Sequence, residues 1–186
     1  IFRVWTVLEQ GIREYFAKNN FTQIYSPALM SAASESGAEV FEVKYFEGKA
    51  YLAQSPQFYK QMAIASGFEK IFMVGPVFRA EPSFTTRHMT EFTGWDFEFA
   101  YIKSHHDIMD REEAMLKSGF KKLKEAGLIE EEIKVPMVRI SLSDVKEKLK
   151  SVGITSEKAG DLSPDEERGI CKIIKEETGS DFVFVT

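Results

Sequence analysis

The chain has one cysteine, three histidines and six prolines in 186 residues. A lone cysteine, Cys171, closes no internal disulfide, so packing must hold the fold, and a reducing, cytoplasmic setting is expected. Zinc-type Cys/His spacing is missing, so no metal ligands are expected within this chain. No apolar run approaches the roughly 20 residues that cross a bilayer, and no signal-peptide pattern opens the chain. An excess of basic charge is also missing: Lys+Arg is 24 and Asp+Glu 29, a net charge of −5. That excludes a polybasic nucleic-acid binder acting by bulk charge and leaves a local basic site open. Repeats and low-complexity tracts are absent too. What remains is ordinary globular composition of single-domain length. The chain starts at Ile1 inside a stretch that reads as helix and ends at Thr186 on a run that reads as strand. Both ends look cut, and a piece of a longer protein is expected.

Apolar positions Trp5, Leu8, Ile12 and Tyr15/Phe16 predict a first amphipathic helix. FTQIYSP reads as a strand halted by Pro27, and residues 31–39 as a polar loop. VFEVKYF and AYLAQ predict a hairpin with Gly48 in its turn. Ser55-Pro56 opens a helix running to about Gly67, with Phe58, Met62 and Ala65 on its core face. Two strands, KIFMVGPVFRA and EFTGWDFEFAYI, flank a polar loop and predict a long antiparallel hairpin. Further helices follow Ser104, Ser143 and the Ser163–Glu166 capping box, with short strands at VRISL and DFVFV. Hairpins among separate helices argue an α+β fold, an antiparallel sheet flanked by helices.

The chemistry concentrates in three places. On the strand over 92–101, Trp95, Phe97, Phe99 and Tyr101 share a core face, because side chains alternate. Phe92, Gly94, Asp96 and Glu98 share the other. Phe92 could stack on a planar ring, Gly94 removes bulk, and the two acids could hold an ammonium or a metal-bound water; a half-solvated face with two surface acids is the plainer alternative. Arg79, Glu81, Arg87 and His88 lie within ten residues in the preceding hairpin. Arginine's planar fork suits phosphate, and Glu81 could accept from an amine; a solvated charged loop is the alternative. Gln57, Lys60 and Gln61 share a helix face, where lysine could hold a carboxylate. Tyr45 and Phe46 read as packing residues, and His105-His106 as solvent-facing.

These segments resemble the catalytic domain of class II aminoacyl-tRNA synthetases, most closely the archaeal/eukaryotic type of aspartyl-tRNA synthetase. The first family motif resembles residues 1–28 with Pro27. The second matches Phe78-Arg79-Ala80-Glu81, then Thr85 through Phe92, and on to Asp96-Phe97-Glu98, about 78–99. Leu52-Ala53-Gln54-Ser55-Pro56-Gln57-Phe58-Tyr59-Lys60-Gln61 resembles the aspartate-recognition signature. Asp161-Leu162-Ser163-Pro164 and Gly179 through Val185 also look like family segments. The likeness covers essentially the whole chain.

The resemblance implies ATP-dependent activation of L-aspartate to aspartyl-adenylate and transfer to tRNA-Asp, with Mg2+ as a further cofactor. It implies that Arg79 meets the α-phosphate and the attacking carboxylate, Glu81 the adenine amino group, Arg87 and His88 the outer phosphates, and Phe92 the adenine face, with Met89 beside them. Glu35, Ser36, Gln57 and Asp96 would surround the amino acid's ammonium end, and Lys60 would bind its side-chain carboxylate. A homodimer is implied through the first motif. Ser36 stands where the family usually has a second glycine. The third motif is absent, and with it the second ATP-binding arginine, the main magnesium-binding acids and an arginine on the β-carboxylate. The anticodon-binding OB domain is absent as well, so the 186 residues alone are not expected to catalyse at a normal rate. The alternatives are an asparaginyl-tRNA synthetase or related asparagine synthetase, and a non-catalytic paralogue serving as a binding or dimerisation module. Lys60 favours aspartate, since an amide gains nothing from a buried ammonium.

Overall fold

The computed structural model describes residues 1–32, 40–80, 89–156 and 158–186. In chain order the elements are α1 (Phe2–Lys18), β1 (Thr22–Gln23), β2 (Leu29–Met30), β3 (Glu42–Tyr45), β4 (Gly48–Leu52), α2 (Gln57–Ala65), β5 (Lys70–Phe78), β6 (Glu91–Phe99), α3 (His105–Glu125), β7 (Val138–Ile140), α4 (Leu142–Ser151), α5 (Pro164–Thr178) and β8 (Val183–Val185). The architecture is α+β. Two compact units form, Phe16–Ile102 and Ile1–Tyr15 with Lys103–Thr186.

The Phe16–Ile102 unit is built on one long ribbon. β5 and β6 pair antiparallel from Lys70↔Phe99 to Phe78↔Glu91, as the sequence predicts, and β1 adds to β5 in parallel. The register sorts the side chains. Phe72↔Phe97 and Val74↔Trp95 lie on one face; Ile71↔Glu98, Met73↔Asp96, Gly75↔Gly94 and Val77↔Phe92 lie on the other. The first face is aromatic. Phe16 stacks on Phe72 at 4.4 Å and lies parallel to Trp95 at 6.3 Å, while Phe21 meets Phe97 edge-on. Such ring pairs add roughly 0.5–1.5 kcal/mol each beyond the area they bury. Tyr101 departs from that expected face: β6 ends at Phe99, and Tyr101 is 88% exposed at φ 61°.

The second face carries the ribbon's buried aliphatics, Ile71, Met73 and Val77. α2 packs across β5 and β6. The chain entering it is tied by two backbone bonds at Ala53: the Phe78 N–H donates to the Ala53 carbonyl, and the Ala53 N–H to the Ala28 carbonyl. Pro56, not Ser55, is the residue that caps α2, and no side chain accepts at the cap itself; the Ser55 hydroxyl accepts from the Gln57 N–H at 3.3 Å. A second small sheet has the order β2-β4-β3. Its hairpin turns at Phe46-Glu47, one step earlier than the glycine predicts, because Gly48 is already paired with Tyr45.

In the other unit, α1 and α3 approach closely through glycines. A Cβ on Gly11 would stand 2.7 Å from the Ser118 carbonyl oxygen and 2.8 Å from the Gly119 Cα. α3 starts at a capping box formed by Ser104 and Asp107. β7 and β8 pair in parallel, and α4 and α5 enclose a core of Val145, Leu149, Leu162, Ile170 and Ile174. Ser141 rather than Ser143 caps α4, accepting from the Asp144 N–H, because the helix begins two residues earlier than its pattern reads. The Ser163–Glu166 capping box and the left-handed Gly179 bound α5 as predicted.

Candidate functional site

Alternation along β6 puts Phe92, Gly94, Asp96 and Glu98 on the face that α2 covers. Phe92 and Asp96 stand four positions apart along the strand, about 13 Å at the usual rise. α2 answers at the acidic end. Lys60 is 7% exposed, and its Nζ donates to Asp96 Oδ1 at 2.8 Å and lies 3.6 Å from Glu98 Oε2. A buried ammonium is tolerable only with such partners. The ion pair explains why α2 is turned opposite to its apolar pattern. Lys60 faces the sheet, whereas Phe58 (44% exposed), Met62 (64%) and Ala65 line an open hollow of about 560 Å³ with Met30 and Tyr59. Of the predicted Gln57–Lys60–Gln61 face, Gln61 lines that hollow too, Gln57 is half-buried and Lys60 is turned to the sheet.

At the other end of the ribbon, Arg79 follows β5 directly. Its N–H donates to the Thr90 carbonyl at 2.9 Å, which closes the strand pair. Its guanidinium lies 5.8 Å from the Phe92 ring centre. Arg79 and Met89 are exposed, and Phe92 is half-buried. A planar ring and a guanidinium at one end, an ammonium and two carboxylates at the other, can hold an elongated ligand with an aromatic head and a zwitterionic tail. Gly94 sits between them. The room it leaves is taken partly by the chain itself: a Cβ there would meet Val77 Cγ2 at 2.8 Å and Asp96 Oδ2 at 3.4 Å. The glycine thus seats Asp96 as well as thinning the sheet.

Residues 1–186 match the family profile described as tRNA synthetases class II (D, K and N). The chain belongs to that family. Among curated relatives of this synthetase chain, an aspartate–tRNA(Asp/Asn) ligase of Aeropyrum pernix is 39% identical over 195 residues, covering 100% of the chain and 44% of the relative. A cytoplasmic aspartate–tRNA ligase of Caenorhabditis elegans is 40% identical, covering 98% of the chain and 36% of the relative. The chain therefore spans less than half the length of these relatives. Among solved structures, the asparaginyl-tRNA synthetase of Pyrococcus horikoshii complexed with asparaginyl-adenylate superposes with a TM-score of 0.82 at 34% identity, over 92% of this chain and 42% of that one. The aspartyl-tRNA synthetase of Entamoeba histolytica gives 0.81 at 31% identity, over 99% and 36%.

Of the synthetase residues read from sequence, the structure brings together Arg79 with Phe92 and Lys60 with Asp96, all on elements of one unit. Glu35, Ser36, Glu81, Arg87 and His88 lie outside the described residues. Glu98 emerges as a second carboxylate on Lys60, a pairing that its shared parity with Asp96 already signals. Among the described residues no group of three or more His, Cys, Asp or Glu side chains converges in a way that could hold a metal ion. No helix among them is long and apolar enough to cross a membrane.

Proposed function

We propose that residues 1–186 are one part of the catalytic domain of an aspartate–tRNA ligase, with its first motif at about 1–28 and its second at about 78–99. The protein that carries them activates L-aspartate with ATP and passes the aspartyl group to tRNA-Asp. The observation that carries this reading is the buried Lys60 ammonium against Asp96, on the same sheet face as Phe92. In the free chain these two charges neutralise each other. Aspartate has a carboxylate for Lys60 and an ammonium for Asp96, so its binding exchanges one pair for two. ATP then lies along the ribbon, its adenine on Phe92. Arg79 stands where the α-phosphate and the attacking carboxylate converge, and stabilises the charge that builds as the carboxylate oxygen bonds to the α-phosphorus and pyrophosphate leaves. Gln57, Glu35 and Ser36 are assigned to the amino acid, and Glu81, Arg87, His88 and Met89 to ATP. Mg2+ enters with the ATP phosphates. A homodimer in the cytoplasm completes the proposal, in keeping with the cytoplasmic ligases among the relatives.

The test is amino-acid-dependent ATP–pyrophosphate exchange by the whole protein. Aspartate should support exchange, and Lys60→Met should reduce it about 100-fold or more, since truncating one partner of a buried charge pair costs roughly 2–5 kcal/mol. Wild-type exchange rates in Lys60→Met would refute the assignment. A second reading has its own observation. Two carboxylates on one lysine leave the slot with excess negative charge, which suits a neutral amide, and a structural relative carries asparaginyl-adenylate. Exchange driven by asparagine in place of aspartate would establish that reading.

A further inference from the structure

The β3–β4 hairpin tip carries a residue that the fold does not compensate. Phe46 is the first of the two turn residues. Its φ is 51°, in the left-handed region that disfavours bulky L side chains and where glycine or asparagine is the usual occupant. Its ring is 81% exposed. Among the described residues the ring's one aromatic neighbour is Tyr45, edge-on with centres 4.7 Å apart, and Tyr45 is itself 50% exposed. Neither is the packing residue that the sequence pattern predicts. Strain of this kind persists where function requires it.

The charges beside the tip narrow what meets it. Lys44 stands directly opposite Lys49 in the register, and like charges so placed oppose pairing. Glu42 offsets Lys49 at 2.8 Å, and Glu47 is exposed in the turn. Lys44 has no ion-pair partner among the described residues. Alternation puts Lys44 on the hairpin face away from Tyr45, so the two rings end the hairpin as a small platform with a cation behind it, too small an apolar patch for a protein partner. They make a good platform for a single unpaired base with its phosphate.

We propose that this hairpin tip contacts the tRNA. Phe46, braced edge-on by Tyr45, stacks on an unpaired base, and Lys44 takes an adjacent phosphate. The inference rests on the tRNA substrate proposed above.

The experiment uses the whole protein with a tRNA-Asp transcript, reading tRNA affinity, aspartate-dependent ATP–pyrophosphate exchange and melting temperature together. Phe46→Asn should weaken tRNA binding about ten-fold, leave exchange unchanged, and melt no lower than wild type, because asparagine accepts the positive φ. Phe46→Trp should retain affinity. Lys44→Ala should reduce the slope of log affinity against log salt by about one. Wild-type tRNA affinity in Phe46→Asn would overturn the proposal. So would a loss of self-association in sedimentation with tRNA affinity intact, which would mark the tip as a contact between protein copies. Absence of aspartate-driven exchange in the wild type would instead defeat the aspartate reading, while the tRNA titrations still judge the hairpin.

Discussion

Single positions on the ribbon already separate chemistry from packing. Gly94 is needed because Val77 and Asp96 occupy the space a methyl would take. Under the proposed function, Gly94→Ala should therefore raise the KM for aspartate in exchange assays by several-fold through a displaced Asp96. It should also lower stability by about 1–3 kcal/mol, as overpacking does. Tyr101 gives the opposite expectation. Its φ is 61° and its ring is 88% exposed, so little is lost by removing it. Tyr101→Asn should raise the melting temperature by about 2–4 °C, the shift that roughly 1 kcal/mol produces in a chain of this size; a lower midpoint would contradict this account of the turn.

At the scale of elements, α1 and α3 depend on bare backbone where they meet. Gly11→Ala would push its new methyl into the Ser118 carbonyl and the Gly119 Cα, neither of which can rotate away. The helices must separate, and a loss of about 1–3 kcal/mol is expected in thermal or urea melts followed by circular dichroism. The pattern of apolar residues and caps was enough to locate nearly every element, because capping boxes at Ser104 and Ser163 and the alternation on β6 are local signals. It failed where a long-range charge overrode it. The periodicity of α2 points Phe58 and Met62 inward, but the carboxylates of β6 draw Lys60 against the sheet, and no window on the helix alone contains that information. The turn at Phe46-Glu47 was missed for a related reason: the strand register, not the nearest glycine, decides where the chain reverses. The site itself was readable as two ends, Arg79 with Phe92 and Lys60 with Asp96. That Phe92, Asp96 and Glu98 share one sheet face follows from the period of two, whereas the burial of Lys60 against both acids required the fold.

For the molecule as a whole, acid tolerance should turn on Glu166. This carboxylate is 1% exposed and accepts from Lys146 Nζ at 2.8 and 2.9 Å, from the Ser156 hydroxyl at 2.5 Å and from the Ser163 N–H at 2.8 Å. Those donors, Lys146 foremost, hold its pKa at about 2 against an ordinary value of 4.5. A carboxyl whose folded pKa is depressed stabilises the fold fully above its unfolded value and loses that contribution as pH falls toward the folded one. The wild type should thus lose its advantage over Glu166→Gln between about pH 5 and pH 2. The difference in melting temperature between the two proteins, followed across that range, checks the assignment; a difference independent of pH would refute it.

The same carboxylate fastens α4 through Lys146, the segment ahead of α5 through Ser156, and the first turn of α5 through Ser163. Three stretches of backbone secured at one point open together or not at all. Their slowest amide protons should then trade for deuterium on a shared clock, with a single opening free energy for both helices.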